Sequence, residues 1–470
     1  MTKSYKKLVV IFLIIFVIFF LLGTMLLNSQ TKLSKDIKNI FPEEIKTSLK
    51  NTIFYFPTKF REIERSKKQV LQLELKVRNL NNKVDELRSK LESGKYNNLI
   101  LSDKFENKYQ LTKYFIDYSL PSFLNKKSKK NGYVETFKDN IIIILWSGKV
   151  MYLNKKDLDK DFIEFKNINT NINKFLTFDD EKFISVKDIL VLDQKLYLSF
   201  TKNINPTKNC LNLSVIEADL FEENEKLSIG KFQNFFTYDE CKEARFNGYQ
   251  SGGRLYKYKD NNLLLTIGDF QNFTPAQDES SFFGKIVSIN IADKKHRLIS
   301  MGHRNPQGLL YDEKKNIILS TEHGQRGGDE VNLIFDNENG PVSNYGWPIA
   351  SYSDYYGYEN SSIKKIAPFK KNHKKFGFVE PLIYFTPAIG ISQIINSSVF
   401  KKKYQSDVFL VTSMKEKKIV FLELKQDNNK AEVINELVIG ERIRDIVILD
   451  ENHYLLYLED TPSLGILSLK

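Results

Sequence analysis

From about Leu111 to the C-terminus, the chain consists of short β-rich runs broken by Gly, Asn, Asp and Lys, without helical periodicity. Examples are Asn140–Leu145, Lys149–Leu153, Ile189–Phe200, Leu263–Ile267, Lys285–Ile291, Val408–Thr412, Ile419–Leu424 and Ile446–Leu458. Many short strands without intervening helices predict an all-β sandwich, barrel or propeller. About 360 residues exceed a usual sandwich, and at about sixty residues a blade they would supply six four-stranded blades. No internal sequence period fixes that number.

The net charge of +12 comes from lysines that are spread along the chain and interleaved with acids. A nucleic-acid-binding surface usually concentrates its basic residues in a stripe, an arm or an aromatic-basic motif, and this sequence has none of these. We therefore interpret the basic excess as solvated surface and predict no nucleic-acid partner.

The N-terminal region contains twenty uncharged residues, Leu8–Leu27. As a helix this segment would span roughly 30 Å, the thickness of a bilayer core. Lysines at positions 3, 6 and 7 precede it, so the N-terminus is expected to stay cytoplasmic and the rest to be exported. A cleaved signal peptide is the alternative, although residues 23–31 offer no clear cleavage site. We expect a single transmembrane helix within residues 1–30, a linker over 31–62, and localisation in the cell (inner) membrane with the head in the periplasm or outside the cell.

A heptad pattern follows the linker and predicts a coiled-coil stalk over residues 63–94. Its apolar positions are spaced alternately three and four apart: Val70, Leu73, Val77, Leu80, Val84, Leu87 and Leu91. Valine at position a with leucine at position d favours a parallel two-stranded coiled coil, and hence a homodimer. The alternative is a single amphipathic helix that lies against the head.

The two cysteines, Cys210 and Cys241, both lie in the β-rich region. In an oxidising compartment they could form a disulfide across a loop of about thirty residues, which would contribute about 3 kcal/mol to stability. A pair of free buried thiols is the alternative.

The stretch 302–348 places charged residues at the ends of predicted strands. It begins with a turn-forming segment, Gly302–Gly308, continues with a β-compatible run, Asn316–Thr321, and then enters a glycine-rich segment, Glu322–Glu330. Glycines and the proline after asparagine enforce turns on both sides of the strand. Five charged or titratable residues are therefore expected at strand ends or in loops: Arg304, His323, Arg326, Asp329 and Glu330.

Further motifs extend this stretch into a family resemblance that runs from about Tyr249 to Glu459. They are Gly252-Gly253-Arg254-Leu255, Thr266-Ile267-Gly268-Asp269, Ala276-Gln277-Asp278, Gly284-Lys285, Asn344-Tyr345-Gly346-Trp347-Pro348, Met414-Lys415 and Arg442-Ile443-Arg444-Asp445. In this order they resemble the glucose/sorbosone dehydrogenase family of six-bladed β-propellers, which oxidise aldose sugars with pyrroloquinoline quinone (PQQ) and calcium. The resemblance implies that residues 111–470 form such a propeller and oxidise a sugar or alcohol, passing electrons to a respiratory acceptor.

The quinone carries three carboxylates, so its pocket needs several cations, and arginine pairs with carboxylates through two parallel hydrogen bonds. The positions that match the family's quinone-binding residues are Arg304, Asn305, His323, Lys415, Arg442 and Arg444. In a strand, Arg442 and Arg444 would project from one face because they are two residues apart. Ordinary surface ion pairs are the alternative interpretation of these residues.

Calcium binds oxygen ligands, including backbone carbonyls. The resemblance places the catalytic calcium on the carbonyls of Gly324 and Gln325, although the family usually has proline at the second position. A separate structural calcium site of some members matches Asp329, Glu330 and the carbonyl of Tyr345. An ordinary acidic turn is the alternative.

The main departure from the family is Gln250, which stands where active members carry a catalytic histidine that an aspartate, here Asp269, orients. A glutamine amide can position a hydroxyl group but cannot accept its proton near neutral pH. Asp269 could act as a substitute base through a water molecule. The alternative function is a catalytically impaired propeller that binds a ligand or partner, and the sequence does not identify the sugar.

Overall fold

The computed structural model describes residues 65–81, 83–84, 94, 96–117, 130–158, 160, 162–176, 184–243, 248–356, 360–398, 408–425 and 430–470. The chain divides into two units, Met1–Val84 and Asp85–Lys470. The described part of the second unit is built almost entirely from antiparallel strands.

The strands of the second unit form six sheets, each of which is one blade of a propeller. The first two strands of this unit are β1 (Tyr96–Ser102) and β2 (Lys108–Phe115). Blade 1 contains β3 (Gly132–Phe137), β4 (Asn140–Leu145), β5 (Val150–Asn154) and β6 (Lys166–Ile168). Blade 2 contains β7 (Val186–Leu192), β8 (Lys195–Asn205) and β9 (Cys210–Glu223), and the short strands β10 (Lys226–Ile229), β11 (Gln233–Phe236) and β12 (Lys242–Glu243) pair with β9.

The second half of the ring repeats this arrangement. Blade 3 contains β13 (Gly252–Tyr258), β14 (Asn262–Ile267), β15 (Lys285–Asn290) and β16 (His296–Met301). Blade 4 contains β17 (Pro306–Asp312), β18 (Ile317–Glu322) and β19 (Asp329–Ile334); β20 (Ser343–Asn344) then joins blade 3, and β21 (Ile383–Phe385) completes blade 4. Blade 5 contains β22 (Ile391–Asn396), β23 (Val408–Ser413), β24 (Lys418–Leu424) and β25 (Ala431–Val438). Blade 6 contains β26 (Ile443–Ile448), β27 (His453–Leu458) and β28 (Ser463–Leu469), with β2 and β1 outside them.

The ring closes because a strand from the start of the propeller pairs with one from its end. Strand β2 lies beside β28, with Leu111 opposite Leu467. The innermost strands β3, β7, β13, β17, β22 and β26 contact one another in this cyclic order and surround a central channel. The all-β, six-bladed propeller expected from the sequence is therefore confirmed.

The hydrophobic core lies between the blades. Six apolar clusters fill the six interfaces between neighbouring blades, and the cluster between blades 6 and 1 includes Ile141, Ile143 and Leu145 of β4. Every residue of β4 is buried, as expected for a strand that packs on both faces. Rigid packing of this kind fixes the strand ends that carry the candidate site.

The first unit is described only as a helix over residues 65–81 and 83–84. Its apolar residues Val70, Leu73, Val77, Leu80 and Val84 are exposed. A helix is thus present where the stalk was expected, while its pairing with a second copy stays a prediction, and Leu87 and Leu91 lie outside the described residues. The expected membrane segment also lies outside them, and no helix in the described ranges is long and apolar enough to cross a bilayer.

The remaining helices of the described residues are short. They are an α-helix, Ser361–Ile366, and four 3-10 helices, Lys155–Asp157, Ile172–Lys174, Thr274–Gln277 and His373–Phe376. The expected disulfide is present between Cys210 and Cys241, whose Cα atoms are 5.4 Å apart. It joins the start of β9 to the loop before β12, and so fixes the edge of blade 2.

Candidate active site

The candidate site residues lie at one face of the propeller because of strand direction. The innermost strand of each blade is antiparallel to the second strand, so the beginning of one and the end of the other meet at the same edge. Gln250, Arg304 and Arg442 lie one or two residues before β13, β17 and β26, while Asp269, His323 and Lys415 lie one or two residues after β14, β18 and β23. The strand directions therefore place these residues at one mouth of the channel.

Gln250 connects a buried acid to an arginine. With the amide oriented to satisfy its neighbours, its nitrogen donates to Oδ1 of Asp269 at 2.8 Å and its oxygen accepts from Nη2 of Arg304 at 2.8 Å. The indole Nε1 of Trp347 donates to Oδ2 of Asp269 at 2.7 Å, and the backbone N–H of Gln271 donates to Oδ1 at 2.8 Å. Both oxygens of Asp269 are thus held in place by donors.

The backbone of three strand ends interlocks around this connection. Gln250 has a φ of 54°, and its carbonyl accepts from the N–H of Phe270 at 3.1 Å. A Cβ atom at Gly268 would lie 1.9 Å from that carbonyl, so only glycine permits this approach. The N–H of Asp269 donates in turn to the carbonyl of Arg304 at 2.8 Å. The side-chain geometry therefore follows from fixed backbone contacts.

Burial raises the pKa of Asp269. Removal from water raises its pKa to about 7, because burial opposes the charge more strongly than Arg304 and the hydrogen bonds from Gln271 and Trp347 favour it. An acid with a pKa in this range can exchange a proton at neutral pH. Since Asp269 is fully buried while Gln250 is partly exposed, a substrate would reach the carboxylate only through a water molecule or after the amide moves.

Arg304 is the cation at the centre of the site. Its Nη1 donates to the carbonyls of His323 at 3.0 Å and Gly324 at 2.6 Å, and its guanidinium lies over the ring of Trp347 at 5.3 Å. Its buried Nε has no acceptor among the described residues. A buried donor without a partner is costly, so this atom fits a site for a ligand that carries acceptor oxygens, such as a quinone carboxylate or carbonyl.

Arg442 and Arg444 both reach the carboxylate of Glu459. Nε of Arg442 donates to Oε2 at 2.9 Å, and Nε of Arg444 donates to Oε1. The two guanidinium groups therefore lie together at the start of β26, on the same carboxylate. Arg444 is buried, whereas the side chain of Arg442 is 39% exposed. Lys415 is exposed as well and donates to the carbonyl of Ala388 at 3.0 Å, so Arg442 and Lys415 are accessible to a ligand.

Asn305 and His323 join neighbouring loops. Oδ1 of Asn305 accepts from the N–H of Gly252 at 3.1 Å and from Nε2 of Gln307 at 3.0 Å. The backbone N–H of His323 donates to the carbonyl of Asn305 at 3.2 Å. Asn305 thus ties the loop that carries Gln250 to the loop that carries Arg304, a positioning role for a residue that was expected to touch the quinone.

The two carbonyls expected to hold a catalytic calcium already accept hydrogen bonds. Gly324 O accepts from Arg304, and Gln325 O accepts from the hydroxyl of Tyr356. Within the described ranges, no three His, Cys, Asp or Glu side chains are grouped to hold a metal. This arrangement does not fit a calcium ion without the displacement of Arg304 and Tyr356, so calcium binding here stays a prediction.

The residues of the second expected calcium site point in different directions. Asp329 and Glu330 are consecutive in β19 and project to opposite faces. Asp329 accepts from the N–H groups of Gly324 at 3.0 Å and of Gly390 at 2.7 Å, whereas Glu330 lies 3.7 Å from His373. The carboxylate of Asp329 therefore organises the loops, and the structure does not bring these two side chains together around one ion.

Tyr345, the third residue of that expected site, contributes its side chain to the core. Its hydroxyl donates to the carbonyl of Leu333 at 2.6 Å, and its N–H donates to the carbonyl of Met301 at 2.9 Å.

Burial raises the pKa of Glu330 well above its usual value, and the neighbouring charge of Glu322 adds to this shift. A structural calcium at this position stays a prediction.

Sequence reasoning missed three residues of the site. Trp347, which holds Asp269, lies in the Asn344–Pro348 motif, so a signal was present. Glu459, which accepts hydrogen bonds from Arg442 and Arg444, was noted only as the last residue of the region of resemblance. Tyr356 lies in a loop peculiar to this chain, and nothing in the sequence indicates its contact with Gln325.

The fold and the site define a six-bladed propeller with a cation-rich mouth above a buried acid. Residues 186–467 match the family model "Glucose / Sorbosone dehydrogenase", and the chain belongs to this family. An uncharacterized protein of Synechocystis sp. is 33% identical over 256 residues, which cover 47% of this chain and 58% of that protein. Aldose sugar dehydrogenase YliI of Escherichia coli is 28% identical over 253 residues, which cover 50% of this chain and 64% of that enzyme. Both matches span less than two thirds of the relative.

Two solved structures show the same fold. The soluble aldose sugar dehydrogenase of Escherichia coli in its apo form has a TM-score of 0.57 and 18% identity, and covers 80% of this chain and 100% of its own. The PQQ-bound aldose sugar dehydrogenase of Streptomyces coelicolor has a TM-score of 0.50 and 16% identity, and covers 73% of this chain and 100% of its own. These likenesses support the propeller and its order of blades.

Proposed function

We propose that this chain is a membrane-anchored dehydrogenase that binds a PQQ-type quinone at the Gln250 face and oxidises a sugar or alcohol. The observation that carries this function is the connection from Arg304 through Gln250 to Asp269. It places a guanidinium whose Nε has no acceptor among the described residues beside a carboxylate whose pKa is raised to about 7. The aldose sugar dehydrogenase YliI and the PQQ-bound propeller of Streptomyces coelicolor support the choice of cofactor and substrate class.

Arg304, Arg442 and Lys415 are the residues that would hold the quinone. Its three carboxylates require several cations. At one mouth, these side chains offer an Nε that lacks an acceptor in the described part of the chain, a half-exposed guanidinium and an exposed ammonium. Arg444 and Glu459 fix the position of Arg442. The bound quinone would supply a hydride acceptor.

The protein's own contribution to the reaction is the proton step. Gln250 orients the substrate hydroxyl through its amide but cannot accept the proton. Asp269 accepts it through a water molecule that bridges past the amide, and its raised pKa suits this exchange at neutral pH. Trp347 keeps the carboxylate in place through its indole N–H.

The cellular setting is also part of the proposal. The uncharged segment 8–27 would anchor the chain in the cell membrane, and the bond between Cys210 and Cys241 supports a head in an oxidising compartment outside the cytoplasm. Exposed Val77 and Leu80 support pairing of two stalk helices. Electrons would pass to a respiratory acceptor. Calcium would enter the site only by displacing Arg304 and Tyr356 from the two carbonyls.

The test uses the purified full-length chain in detergent, with PQQ added with or without calcium. Bound quinone is followed by absorbance, and turnover by reduction of an artificial electron acceptor with a panel of aldoses and alcohols. Arg326→Gln is the matched control, because it removes one exposed charge near the site without touching the proposed cation set. Quinone binding together with substrate-dependent reduction supports the function; a chain that binds no quinone contradicts it.

One observation favours a second function, a propeller that binds a ligand or partner without catalysis. The amide of Gln250 covers Asp269, which is fully buried, so no proton acceptor is exposed at this position. Tight quinone binding without turnover of any substrate would support this second function.

A further inference from the structure

The channel has a second, separate opening at the face opposite Gln250. A cavity of about 350 Å³ lies there, and all six innermost strands contribute residues to its lining. This volume is in the range of small-molecule sites, which are mostly apolar with a few polar groups in defined places. Nothing in the proposed dehydrogenase reaction uses this cavity.

The walls of the cavity are apolar. They include Ile189, Leu190, Leu310, Ile395 and Ile446, contributed by four innermost strands. Such walls favour the hydrocarbon part of a ligand, because contact with them removes apolar surface from water.

The floor of the cavity is a buried ion cluster that separates it from the cofactor face. Nη1 of Arg254 lies 2.7 Å from Oδ1 of Asp188 and 2.7 Å from Oδ1 of Asp445. Nε of Arg254 donates to the carbonyl of Gln307 at 2.9 Å, on the side of the cofactor site. Two buried carboxylates share one guanidinium, so this cluster carries an excess negative charge when both Asp188 and Asp445 are ionised.

Glu135 adds a third carboxylate to the lining. It accepts from the N–H of Thr136 at 3.0 Å and forms no ion pair with a cationic side chain in the described part of the chain. Burial raises the pKa of Glu135 to about 8, and the charges of Asp445 and Asp188 add to this shift. Burial also raises the pKa of Asp188 to about 7 against the opposing effect of Arg254.

The other charged groups of the lining lie at its rim. Glu313 and Lys257 are exposed, and Lys259 lies 3.5 Å from Asp336, outside the cavity. None of these neutralises the acids at the floor. The cavity therefore combines apolar walls with a lining in which three acids, Glu135, Asp188 and Asp445, accompany the buried cation of Arg254.

We infer that this cavity binds a small organic cation, a primary ammonium ion on a short apolar stem. The ammonium group supplies positive charge to this acidic lining, and the stem contacts the apolar walls. An anion suits the cavity poorly, because the guanidinium of Arg254 at the floor is already shared by Asp188 and Asp445. A bare metal ion suits the cavity poorly, because the described residues group no three metal-ligating side chains and the walls offer hydrocarbon instead of oxygen.

The test is calorimetric titration of the full-length chain, without quinone, with n-butylammonium, and with n-butanol as the neutral molecule of similar shape. The ammonium ion is expected to bind at least about tenfold more tightly than the alcohol, since it adds charge-assisted hydrogen bonds. At pH 7 binding should release about one proton or more, because the raised pKa values of Glu135 and Asp188 leave both carboxyl groups partly protonated before the cation arrives. The binding enthalpies measured in two buffers with different ionisation enthalpies give the number of protons released.

Two variants make the assignment specific. Glu135→Gln should reduce the proton release, leaving only the part from Asp188, and weaken n-butylammonium binding about tenfold, whereas Glu432→Gln on the outer strand β25 should change neither. Ile448→Lys places an ammonium group at the cavity mouth and should block binding even if Glu135→Gln is unstable. Equal binding of ammonium and alcohol, absence of binding, or unchanged binding in Ile448→Lys would overturn the inference. Because quinone is absent, none of these results bears on the proposed dehydrogenase.

Discussion

The amide nitrogen of Gln250 donates to Oδ1 of Asp269 at 2.8 Å, and this contact places a residue that cannot accept a proton over one that can. Asp269 is fully buried, and its pKa is raised to about 7. In the proposed reaction, Gln250 would orient the substrate and Asp269 would accept the proton.

The pH dependence of the reaction tests the role of Asp269. Its carboxyl group is protonated below its pKa and accepts a proton only above it, so the rate is expected to rise with pH through about 7. Asp269→Asn removes the base and should lower the rate by about 10²–10⁴-fold while quinone affinity changes little. Steady-state rates from pH 5 to 9 provide the measurement, and an unchanged profile in Asp269→Asn would rule out this base.

Arg442 tests the cation set. Its guanidinium is half-exposed and fixed by Glu459, so Arg442→Gln should weaken quinone binding by about 1.5–3 kcal/mol, the contribution of a charge-assisted hydrogen bond. Equilibrium titration of quinone absorbance measures this loss. Arg326→Gln removes a comparable charge from a neighbouring loop and should have almost no effect; equal losses in both variants would indicate only a general charge effect.

Tyr356 tests the calcium site. Its hydroxyl donates to the carbonyl of Gln325, one of the two expected calcium ligands. Tyr356→Phe frees this oxygen and should strengthen calcium binding by about 0.5–1.5 kcal/mol, the net value of a neutral hydrogen bond. Calcium titration by calorimetry measures the change, with Tyr352→Phe as the control. If neither the wild type nor Tyr356→Phe binds calcium, the carbonyl pair is not a metal site.

The stalk tests self-association. The double substitution Val77→Asp and Leu80→Asp would bury unpaired charges in the expected a/d seam and should abolish dimers cross-linked in membranes. Leu71→Asp with Leu75→Asp changes two equally exposed leucines off the seam and should leave cross-linking intact. Dimers that survive the seam substitution would assign self-association to another part of the chain.

Much of the fold could be predicted from the sequence, because short strands bounded by turn residues identify a β-rich chain. The number of blades came from the family resemblance, since no repeat period marks it. The short strands β10, β11 and β12 were not predicted, because brief edge pairings on β9 depend on tertiary contacts more than on local pattern.

The site shows the same division between local and distant information. The positions of Arg304, Asp269 and Lys415 were predictable, because residues at the ends of adjacent antiparallel strands lie on one face. The hydrogen bond from Arg442 to Glu459 and the contact of Tyr356 with Gln325 were not predictable. The first depends on the pairing of β26 with β27, and the second on the path of a long loop. Arg254, noted only as part of a motif, proved to form the buried floor of the channel.

The most direct measurement is sugar-dependent reduction of an artificial acceptor by the wild type and by Gln250→His at saturating quinone. A histidine in place of Gln250 would lie beside Asp269, which would orient it, and would supply an exposed base. The account predicts a rate increase of about 10²-fold, with quinone affinity nearly unchanged because Arg304, Arg442 and Lys415 hold the quinone. A brisk wild-type rate that the histidine leaves unchanged would contradict the claim that Gln250 limits proton transfer.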